Sequence, residues 1–442
     1  MKHTRKVTAA ILGGIMAAST LFTAVPAAAD DVTIKVALWD YSNTEYYKTM
    51  IDGFKEANPG IDVEVVEFSA AEYSDTIVVK MAAKENYDVI FMKGLPEMSA
   101  LIAGGHLLGL DDLAADYDFA PYGGTEKSLI VDGVLYGLPF RKDNNLIFYN
   151  KDLFDAAGVD YPQDGMTFDE YVALAEKMTS GEGSSKVYGA HVHTWGSNVY
   201  QYARFAEDYV YNDVSTWDSL IPYYEGILKL QEEGCVQDYG ALKTGNIHYS
   251  GVFYNQEAAM MQIGTWYINM LLENVPNEDE GIDSFNWGVC SMPNPYGITT
   301  ENVVGGITPV AIGAYGEHPD EAWQFLTYIT GAEGAQVLAK TGIVPAWAGQ
   351  EVLDIFDGFH DEHPNAPEGL SKYISGSNFI VEQPMDPNGK AIAAVTDEMH
   401  SAIMTGSMSI EEALEEYKAK AVEAGASEGA AEAEEEVATE AD

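Results

Sequence analysis

The sequence has few cysteines and few basic residues. Cys235 and Cys290 are its two cysteines; they could pair or remain buried free thiols, and in either case no disulfide framework organises the fold. Lysine and arginine number 23 against 70 acidic residues, so the formal net charge is −47. Such a surface repels phosphate backbones and anionic lipids, which argues against nucleic-acid partners and lipid-headgroup ligands. Residues 423–442 are predicted to form a solvated, disordered acidic tail.

Long apolar runs are also absent after the first 29 residues. The N-terminus carries Lys2, Arg5 and Lys6, then an apolar stretch and small residues ending at Ala29. This order is typical of a signal peptide, residues 1–29, cleaved near Ala29; a membrane anchor is the alternative interpretation. No cysteine for lipid attachment stands at the cleavage point. We expect an exported protein, periplasmic or extracellular at the cell surface, with no membrane insertion after cleavage.

The sequence is rich in alternating strand and helix patterns. Its length and its hydrophobic content of 47% allow two or three globular domains. Apolar runs predict strands at 34–39, 61–68, 87–92, 145–150, 188–193, 285–293 and 304–313. Segments with helical spacing separate many of these runs, which predicts an α/β fold with mainly parallel sheets flanked by helices. In such sheets ligands bind at the carboxyl ends of the strands.

Several helices carry recognisable start signals. Thr167 followed by Glu170 three residues later is the signature of a capping box, and Pro319 suits a first helical turn. Trp217 and Trp323 fall inside helical patterns. We expect both tryptophans to be core residues.

Several stretches, in a consistent order, resemble one protein family. They are "FKEANPGIDVEVVEF", "YDVIFMKGLPEMSALIAGGHLLGLDDL", "DGVLYGLPFRKDNNLIFYNKDLFDAAGVDYPQDGMTFDEYVALAEKM", "YNQEAAMMQIGTW" and "DEAWQFLTYITGAEGAQVLAKTGIVPA". The chain resembles the extracellular solute-binding proteins of carbohydrate ABC importers, solute-binding protein family 1, the group that includes maltose-binding protein. The likeness covers residues 33–420, nearly the whole chain after the signal segment.

The resemblance implies a two-lobe fold whose lobes close on a ligand by hinge bending. Interlobe crossings are implied near 139–141, 291–293 and 342–346. The N-terminal lobe would comprise residues 30–140 and 294–343, and the C-terminal lobe residues 141–293 and 344–422. The implied protein is a monomeric, non-enzymatic receptor without a cofactor. It would capture a mono- or oligosaccharide and present it to the permease subunits of an ABC transporter.

A sugar-binding cleft needs flat aromatic rings for the apolar faces of the sugar and polar groups for its hydroxyls. Trp39 and Asp40 end the first predicted strand, which places them at the cleft edge on architectural grounds. Asp40 as a simple helix cap is the alternative. The full set of predicted ligand-binding residues is Trp39, Asp40, Lys93, Glu97, Arg141, Asp143, Trp195, Trp266 and Trp347.

The resemblance gives most of these residues their place. Trp266 matches the family position whose aromatic ring stacks on the sugar, with core filling in a helix as its alternative. Asp143 matches a family carboxylate beside a crossing, and Arg141 is expected near it. Trp195 falls where relatives supply an aromatic residue or a carboxylate, or else packs on its own lobe. Trp347 stands next to the last crossing.

The identity of the sugar stays open at this point. Where maltose-binding protein has an Asp-Arg pair, this chain has Leu95 and Pro96, which puts maltose itself in doubt. Lys93, Arg141 and Lys142 near one cleft allow an acidic sugar, and neutral sugars are equally compatible.

Two other function classes share some of these features. A secreted glycoside hydrolase needs paired carboxylates, but no spacing ties any of the 70 acidic residues into a pair. A metal-binding receptor could use "HVH" at 191–193 or "HDEH" at 360–363, but neither has a third ligand fixed by spacing. The sequence holds no nucleophile elbow, HExxH motif or phosphate loop. We therefore expect no catalytic and no metal-binding residues.

Overall fold

The computed structural model describes residues 32–70, 72–297, 302–375 and 378–429. The predicted signal peptide and the predicted tail beyond residue 429 lie outside the described residues. Within the described ranges, no helix combines the length and apolar character needed to cross a membrane.

The strands of the described chain form one large mixed sheet and a small hairpin. They are β1 (Val32–Trp39), β2 (Ile61–Phe68), β3 (Val89–Phe91), β4 (Ile130–Val131), β5 (Val134–Leu135), β6 (Leu138–Asn150), β7 (Tyr188–His191), β8 (Ala258–Gly264), β9 (Trp287–Cys290), β10 (Asn302–Ile312) and β11 (Asn378–Val381). The large sheet runs β2-β1-β3-β10-β6-β8-β7, with β11 added to β10 and β9 added to β6, and β4 pairs with β5.

The α-helices of the described chain cover the sheet. They are α1 (Glu45–Ala57), α2 (Tyr73–Ala82), α3 (Leu95–Ala103), α4 (Lys151–Ala157), α5 (Phe168–Met178), α6 (Ser197–Phe205), α7 (Ile221–Glu232), α8 (Tyr239–Gly245), α9 (Tyr249–Tyr254), α10 (Trp266–Asn274), α11 (Pro319–Thr330), α12 (Ala332–Lys340), α13 (Gln350–Glu362), α14 (Ser371–Ile374), α15 (Gly389–Met404) and α16 (Ile410–Glu423). The predicted capping box of Thr167 and Glu170 starts α5, and Pro319 starts α11 as predicted.

The N-terminal lobe is built on three parallel strands. β1 pairs with β2 along its whole length and with β3 on its other side. Apolar side chains from β1 and β3 meet one face of α1, where Tyr47, Met50, Ile51 and Phe54 are buried. This cluster, the N-terminal core, also takes in apolar side chains of α11 and of the second half of β10. The βαβ pattern of the sequence therefore forms as predicted, because parallel strands require crossover connections.

Two long antiparallel strands carry the chain between the lobes. Residues 138–144 of β6 pair with β10, whereas residues 145–150 pair with β8 and β9. A third segment runs alongside: the backbone N–H of Lys142 donates to the carbonyl of Val344 at 3.2 Å, and that of Ala346 donates to the carbonyl of Phe140 at 3.2 Å. These three segments lie side by side where the two lobes meet.

The C-terminal lobe has a core on each face of its sheet. The first C-terminal core gathers side chains from α5, α6, α7, α15 and α16 and contains Trp217, which is fully buried. The second gathers side chains from α9, α10 and α13 and contains the buried Trp287. Trp217 is thus a core residue, as predicted. Trp323 is half-buried on the N-terminal core, with its ring edge-on to that of Tyr117 at 5.5 Å.

The structure decides two points that concern the cysteines and the C-terminus. Cys235 and Cys290 are both buried free thiols. The solvated tail predicted from residue 423 does not start there. Ala426 is buried in the first C-terminal core, and the backbone of Ser427 bonds to the backbones of Asn212 and Val214. A small apolar side chain at 426 explains why the chain stays packed beyond the end of α16.

Candidate ligand-binding cleft

The carboxyl end of β1 forms one edge of the cleft. The Trp39 ring lies 5.1 Å from that of Tyr73, and the Nζ of Lys93 lies 5.5 Å from the Trp39 ring centroid. Asp40 has a left-handed backbone with φ 52° and precedes a short 3-10 turn, but its side chain makes no capping hydrogen bond there. Its Oδ1 instead accepts a weak bond from the N–H of Ala70 at 3.4 Å. The helix-cap interpretation of Asp40 is therefore wrong.

The turn before α3 brings Lys93 and Glu97 together with this edge. Lys93 Nζ donates to the carbonyl of Ala70. Glu97 Oε2 accepts from the Oγ of Ser74 at 3.0 Å and from the N–H of Lys93 at 3.1 Å, while its Oε1 is buried without a hydrogen-bond partner among the described residues. Burial raises the pKa of Glu97, and these two hydrogen bonds only partly offset the effect. Four of the predicted residues thus lie around the carboxyl end of β1, namely Trp39, Asp40, Lys93 and Glu97.

The crossing strands bring Arg141 and Asp143 close to each other. Arg141 faces Thr308 across the β6–β10 pair and donates from its Nε to Thr308 Oγ1 at 3.1 Å. Burial raises the pKa of Asp143, and the Arg141 guanidinium pulls it back down. Asp143 Oδ1 is buried and has no hydrogen-bond partner in the described parts of the chain. A carboxylate with a spare buried acceptor therefore stands at the junction of the lobes.

Three aromatic side chains of the C-terminal lobe form what we call the aromatic wall: Trp195, Tyr249 and Trp266. Trp266 is the first residue of α10, and its Nε1 donates to the Tyr249 hydroxyl at 3.0 Å. The Trp195 ring lies 5.6 Å from Tyr249 and 6.3 Å from Trp266, tilted 58° to the latter. Trp195 is 42% exposed. Burial raises the pKa of Tyr249; the hydrogen bond with Trp266 lowers it, and the Asp143 carboxylate raises it further.

His193 packs against the aromatic wall, and the ring of His191 lies 5.7 Å from that of His193. The His193 ring stands edge-on to Trp195 at 4.5 Å and to Tyr249 at 5.3 Å, and the Nδ1 of His191 contacts the Oε1 of Gln237 at 2.7 Å. Burial lowers the pKa of both histidines to about 4. Their neutral rings act as packing groups at neutral pH.

The two histidine motifs also bear on metal binding. The Nδ1 of His360, in "HDEH", contacts the carbonyl of Ala366 at 2.7 Å. In the portion of the chain that the structure covers, His, Cys, Asp and Glu form no group of three or more that could hold a metal ion.

Trp266 is half-buried, and its ring both packs on the second C-terminal core and lies beside the ring of Trp195. A Cβ added to Gly264, at the end of β8, would lie 1.8 Å from a ring carbon of Trp266. The missing side chain at 264 therefore lets the indole lie directly over the strand end. Trp266 is thus partly a core residue, and its role as a surface for the ligand stays a prediction.

Replacing Gly264 with alanine is expected to displace the Trp266 ring. Overpacking of this kind costs about 1 to 3 kcal/mol of unfolding free energy, and it should weaken ligand binding at the predicted site as well. Urea unfolding followed by tryptophan fluorescence measures the first effect and calorimetric titration the second. Gly251→Ala is the matched control, since an added Cβ there meets nothing within 4 Å. Equal behaviour of the two variants would contradict the role of Gly264.

A small cavity of about 120 Å³ opens between the lobes, and we call it the interlobe cavity. Its N-terminal wall is the turn into α3, its floor is the crossing strand β10, and its far wall is the end of β11. The lining residues are Lys93, Gly94, Leu95, Pro96, Gly305, Gly306, Ile307, Val381, Glu382 and Gln383.

Glu382 and Tyr249 are further candidate site residues that the sequence did not single out. The N–H of Glu382 donates to the carbonyl of Gly305 at 2.9 Å, and its Oε2 accepts from the Nε2 of Gln201. Burial raises the pKa of Glu382; the Gln201 hydrogen bond lowers it, and the neighbouring Asp143 carboxylate raises it further. No sequence signal marks either residue, because Glu382 follows a four-residue strand and Tyr249 begins a six-residue helix.

Trp347 stands two residues after Pro345, which pairs with Arg141 in an isolated bridge. It follows the third crossing segment and packs on the second C-terminal core, where Gly349 leaves room for its ring. Among the described residues, the ring contacts and hydrogen bonds do not link it to the aromatic wall or to the β1 edge.

Comparisons with known proteins agree on one family. The profile of the family described as bacterial extracellular solute-binding protein matches residues 41–336. A sugar transporter from Rhizobium etli, solved in an open conformation, is 32% identical; the alignment covers 88% of this chain and 99% of that one, with a TM-score of 0.80. The chain therefore belongs to the bacterial extracellular solute-binding protein family, which confirms the resemblance and the two-lobe α/β fold predicted from the sequence.

More distant relatives extend this picture. The sn-glycerol-3-phosphate-binding periplasmic protein UgpB of Salmonella paratyphi A is 23% identical over 397 residues, which are 82% of this chain and 85% of that protein. The sugar-binding protein MalE of Xanthomonas citri is 17% identical and shares the fold with a TM-score of 0.72, over 93% of this chain and 100% of that one.

Proposed function

We propose that this protein is the receptor of an ATP-driven importer, which captures a sugar, oligosaccharide or polyol in the interlobe cleft and delivers it to a membrane permease. The aromatic wall carries the proposal. Trp195 and Trp266 offer flat faces, the Tyr249 hydroxyl fixes the Trp266 indole, and Asp143 offers a buried acceptor nearby. Aromatic faces combined with a few fixed polar groups suit the alternating apolar and hydroxyl surfaces of a sugar.

Closure of the lobes is part of the proposal. We assign residues 30–140 and 294–343 to the N-terminal lobe and residues 141–293 and 344–422 to the C-terminal lobe. Most residues of the three cores fall on the side that this division gives them; Val304, Ala335 and Ala339 are members of the C-terminal cores. A ligand that contacts both lobes only when they are closed shifts the population toward the closed state by its difference in affinity. The permease can then recognise the loaded receptor by surfaces on both lobes.

The N-terminal segment supports export of the receptor. Its basic, apolar and small-residue parts are those of a cleaved signal peptide. We propose that the mature protein acts outside the cytoplasmic membrane.

Binding of a sugar is expected to raise the unfolding temperature of the mature protein. A ligand at one hundred times its Kd that binds only the native state adds about 2.7 kcal/mol of unfolding free energy. The measurement is a thermal unfolding screen with neutral mono- and oligosaccharides, mannitol, glycerol, sn-glycerol 3-phosphate, Ca²⁺ and Zn²⁺. Mass spectrometry of the native protein identifies any solute that co-purifies with it.

Three outcomes of this screen would count against a sugar receptor. A shift with Ca²⁺ or Zn²⁺ alone would favour a metal receptor. Accumulation of free sugar from an incubated oligosaccharide would favour a hydrolase. Absence of any shift with the whole panel, and of any co-purified sugar or polyol, would contradict the proposed ligand class.

A further inference from the structure

The carboxylate of Glu382 lines the interlobe cavity, where its charge can favour some ligand substituents over others. We propose that Glu382 is a specificity-determining residue, which accepts a hydrogen bond from a hydroxyl or ammonium substituent held in the interlobe cavity and excludes anionic solutes such as sugar phosphates and uronates. This inference rests on the proposed function and narrows its ligand class.

The Glu382 carboxylate is held in place by a chain of buried amides. Gln201 donates to it from Nε2 and accepts, at Oε1, a hydrogen bond from Gln262 Nε2. Gln262 is fixed in turn by Asn198 at 2.8 Å and by Asn145 at 3.4 Å. These amides connect α6, β8 and β6, so the carboxylate has a fixed position relative to the C-terminal lobe. A group fixed in this way discriminates between ligands better than a flexible surface side chain.

The second oxygen of Glu382 faces the floor of the cavity. A Cβ added to Gly306 would lie 3.7 Å from Glu382 Oε1. Because Gly306 has no side chain, a ligand substituent can approach both the strand backbone and the carboxylate. The cavity measures about 120 Å³, well below the roughly 300 Å³ at which pockets begin to enclose whole drug-sized ligands. It therefore suits one substituent rather than an entire ligand.

The cations near the cavity are already engaged. Arg141 is bonded to Thr308 and lies in the field of Asp143, and Lys93 Nζ is bonded to the carbonyl of Ala70. The Nζ of Lys142 lies 6.0 Å from the ring centroid of Phe379, and burial lowers its pKa to about 8. In the described parts of the chain, no ion pair joins these basic groups to the Glu382 carboxylate.

A second carboxylate strengthens the exclusion of anions. Asp143 pairs with Gly306 across the β6–β10 ladder, so both acids flank the same glycine. An anion placed there meets like charges in a medium of low dielectric, which is unfavourable. A hydroxyl or ammonium, by contrast, donates to an acceptor-only group. UgpB of Salmonella paratyphi A is named for sn-glycerol 3-phosphate, and the charges of this cavity argue against such a ligand here.

The test compares matched neutral and anionic solutes by calorimetric titration. The probes are glycerol with sn-glycerol 3-phosphate, glucose with glucose 6-phosphate and glucuronate, and the best neutral binder of the screen with its phosphate ester. We expect the wild-type protein to bind the neutral member at least 100-fold more tightly. In Glu382→Gln we expect that ratio to fall at least tenfold, with neutral binding weakened several-fold. Glu225→Gln, on the exposed face of α7, removes the same charge and should keep the wild-type ratio.

Each outcome decides a different point. Wild-type binding of a phosphate or uronate as tight as that of its neutral partner overturns the inference and leaves the proposed function standing. An unchanged ratio in Glu382→Gln shows that Glu382 is not the determinant. If no sugar or polyol binds at all, the proposed function and this inference both fail. Should Glu382→Gln not fold, the wild-type ratio alone still decides whether anions are excluded.

Discussion

Replacing Trp266 with alanine is expected to weaken sugar binding at least tenfold while the protein remains folded. A tenfold loss corresponds to about 1.4 kcal/mol, which one aromatic face in contact with a sugar ring can supply through buried apolar area. The ring is half-buried, and its indole N–H donates to the hydroxyl of Tyr249, a buried residue of the second C-terminal core. Calorimetric titration with the best ligand of the screen measures the affinity, and circular dichroism checks the fold.

Trp323→Ala is the matched control for this prediction. Trp323 is also half-buried and also contacts a tyrosine edge, but it packs on the N-terminal core beside Tyr117. Its replacement should lower stability and leave the affinity unchanged. Unfolding of Trp266→Ala would return Trp266 to the core, and a folded variant with unchanged affinity would show that the ring does not touch the ligand.

The strands of the N-terminal lobe could be predicted from the sequence because they are buried on one or both faces. β3 is a continuous apolar run, and β2 alternates apolar with acidic residues over 61–68, the range that was predicted. β3 is shorter than the predicted 87–92 by two residues at its start and one at its end, because residues 87, 88 and 92 fall outside its pairing with β1 and β10. A buried strand face requires apolar residues, and the resulting pattern of apolar positions predicts the strand clearly.

Two strands of the C-terminal lobe were harder to read. β6 spans residues 138–150, but only 145–150 was predicted, because five polar residues from Arg141 to Asn145 interrupt the apolar pattern. Those residues turn polar where the strand leaves one lobe and enters the other, beside the cleft. β8 is fully buried, yet its sequence AAMMQIG is built on alanine and methionine, which have little preference for strands.

Some residues of the candidate site could be predicted from the sequence, and others could not. The end of β1 pointed to Trp39 and Asp40, because parallel strands expose their carboxyl ends to ligands. Trp266 and Asp143 came from the family resemblance. Tyr249 and Glu382 could not be found in this way, since they reach Trp266 and Gly305 through contacts that are distant in sequence. A role created by tertiary contact leaves no local signal.

Acidification from pH 7 to pH 4.5 is expected to lower the free energy of unfolding, because the buried histidines stay neutral in the native state. Burial lowers the pKa of His191 and His193 to about 4 and that of His400 to about 3, against about 6.5 in an unfolded chain. Below about pH 6.5 the unfolded state binds protons that the native state does not bind. The free energy of unfolding therefore falls as the pH is lowered. By pH 4.5 the loss is about 2 to 3 kcal/mol for each histidine.

The contribution of one histidine can be isolated with His400→Gln. His400 contacts the Tyr224 hydroxyl through Nδ1 at 3.1 Å, and its Nε2 is buried without a hydrogen-bond partner in the described ranges. Glutamine keeps a polar contact there but cannot take up a proton. Urea unfolding at pH 7 and pH 4.5 should show that the variant loses about 2 to 3 kcal/mol less than the wild type over this range.

A difference between two proteins is needed because other buried groups act in the opposite direction. Burial raises the pKa of Glu97, Asp143 and Glu382, so their native state takes up protons first and gains stability as the pH falls. These carboxylates are common to the wild type and the variant, and their effect cancels in the comparison. His318→Gln, at a half-buried position before α11, controls for the substitution itself and is measured beside the wild-type curve. If His400→Gln follows that curve, a neutral buried His400 does not account for the acid sensitivity.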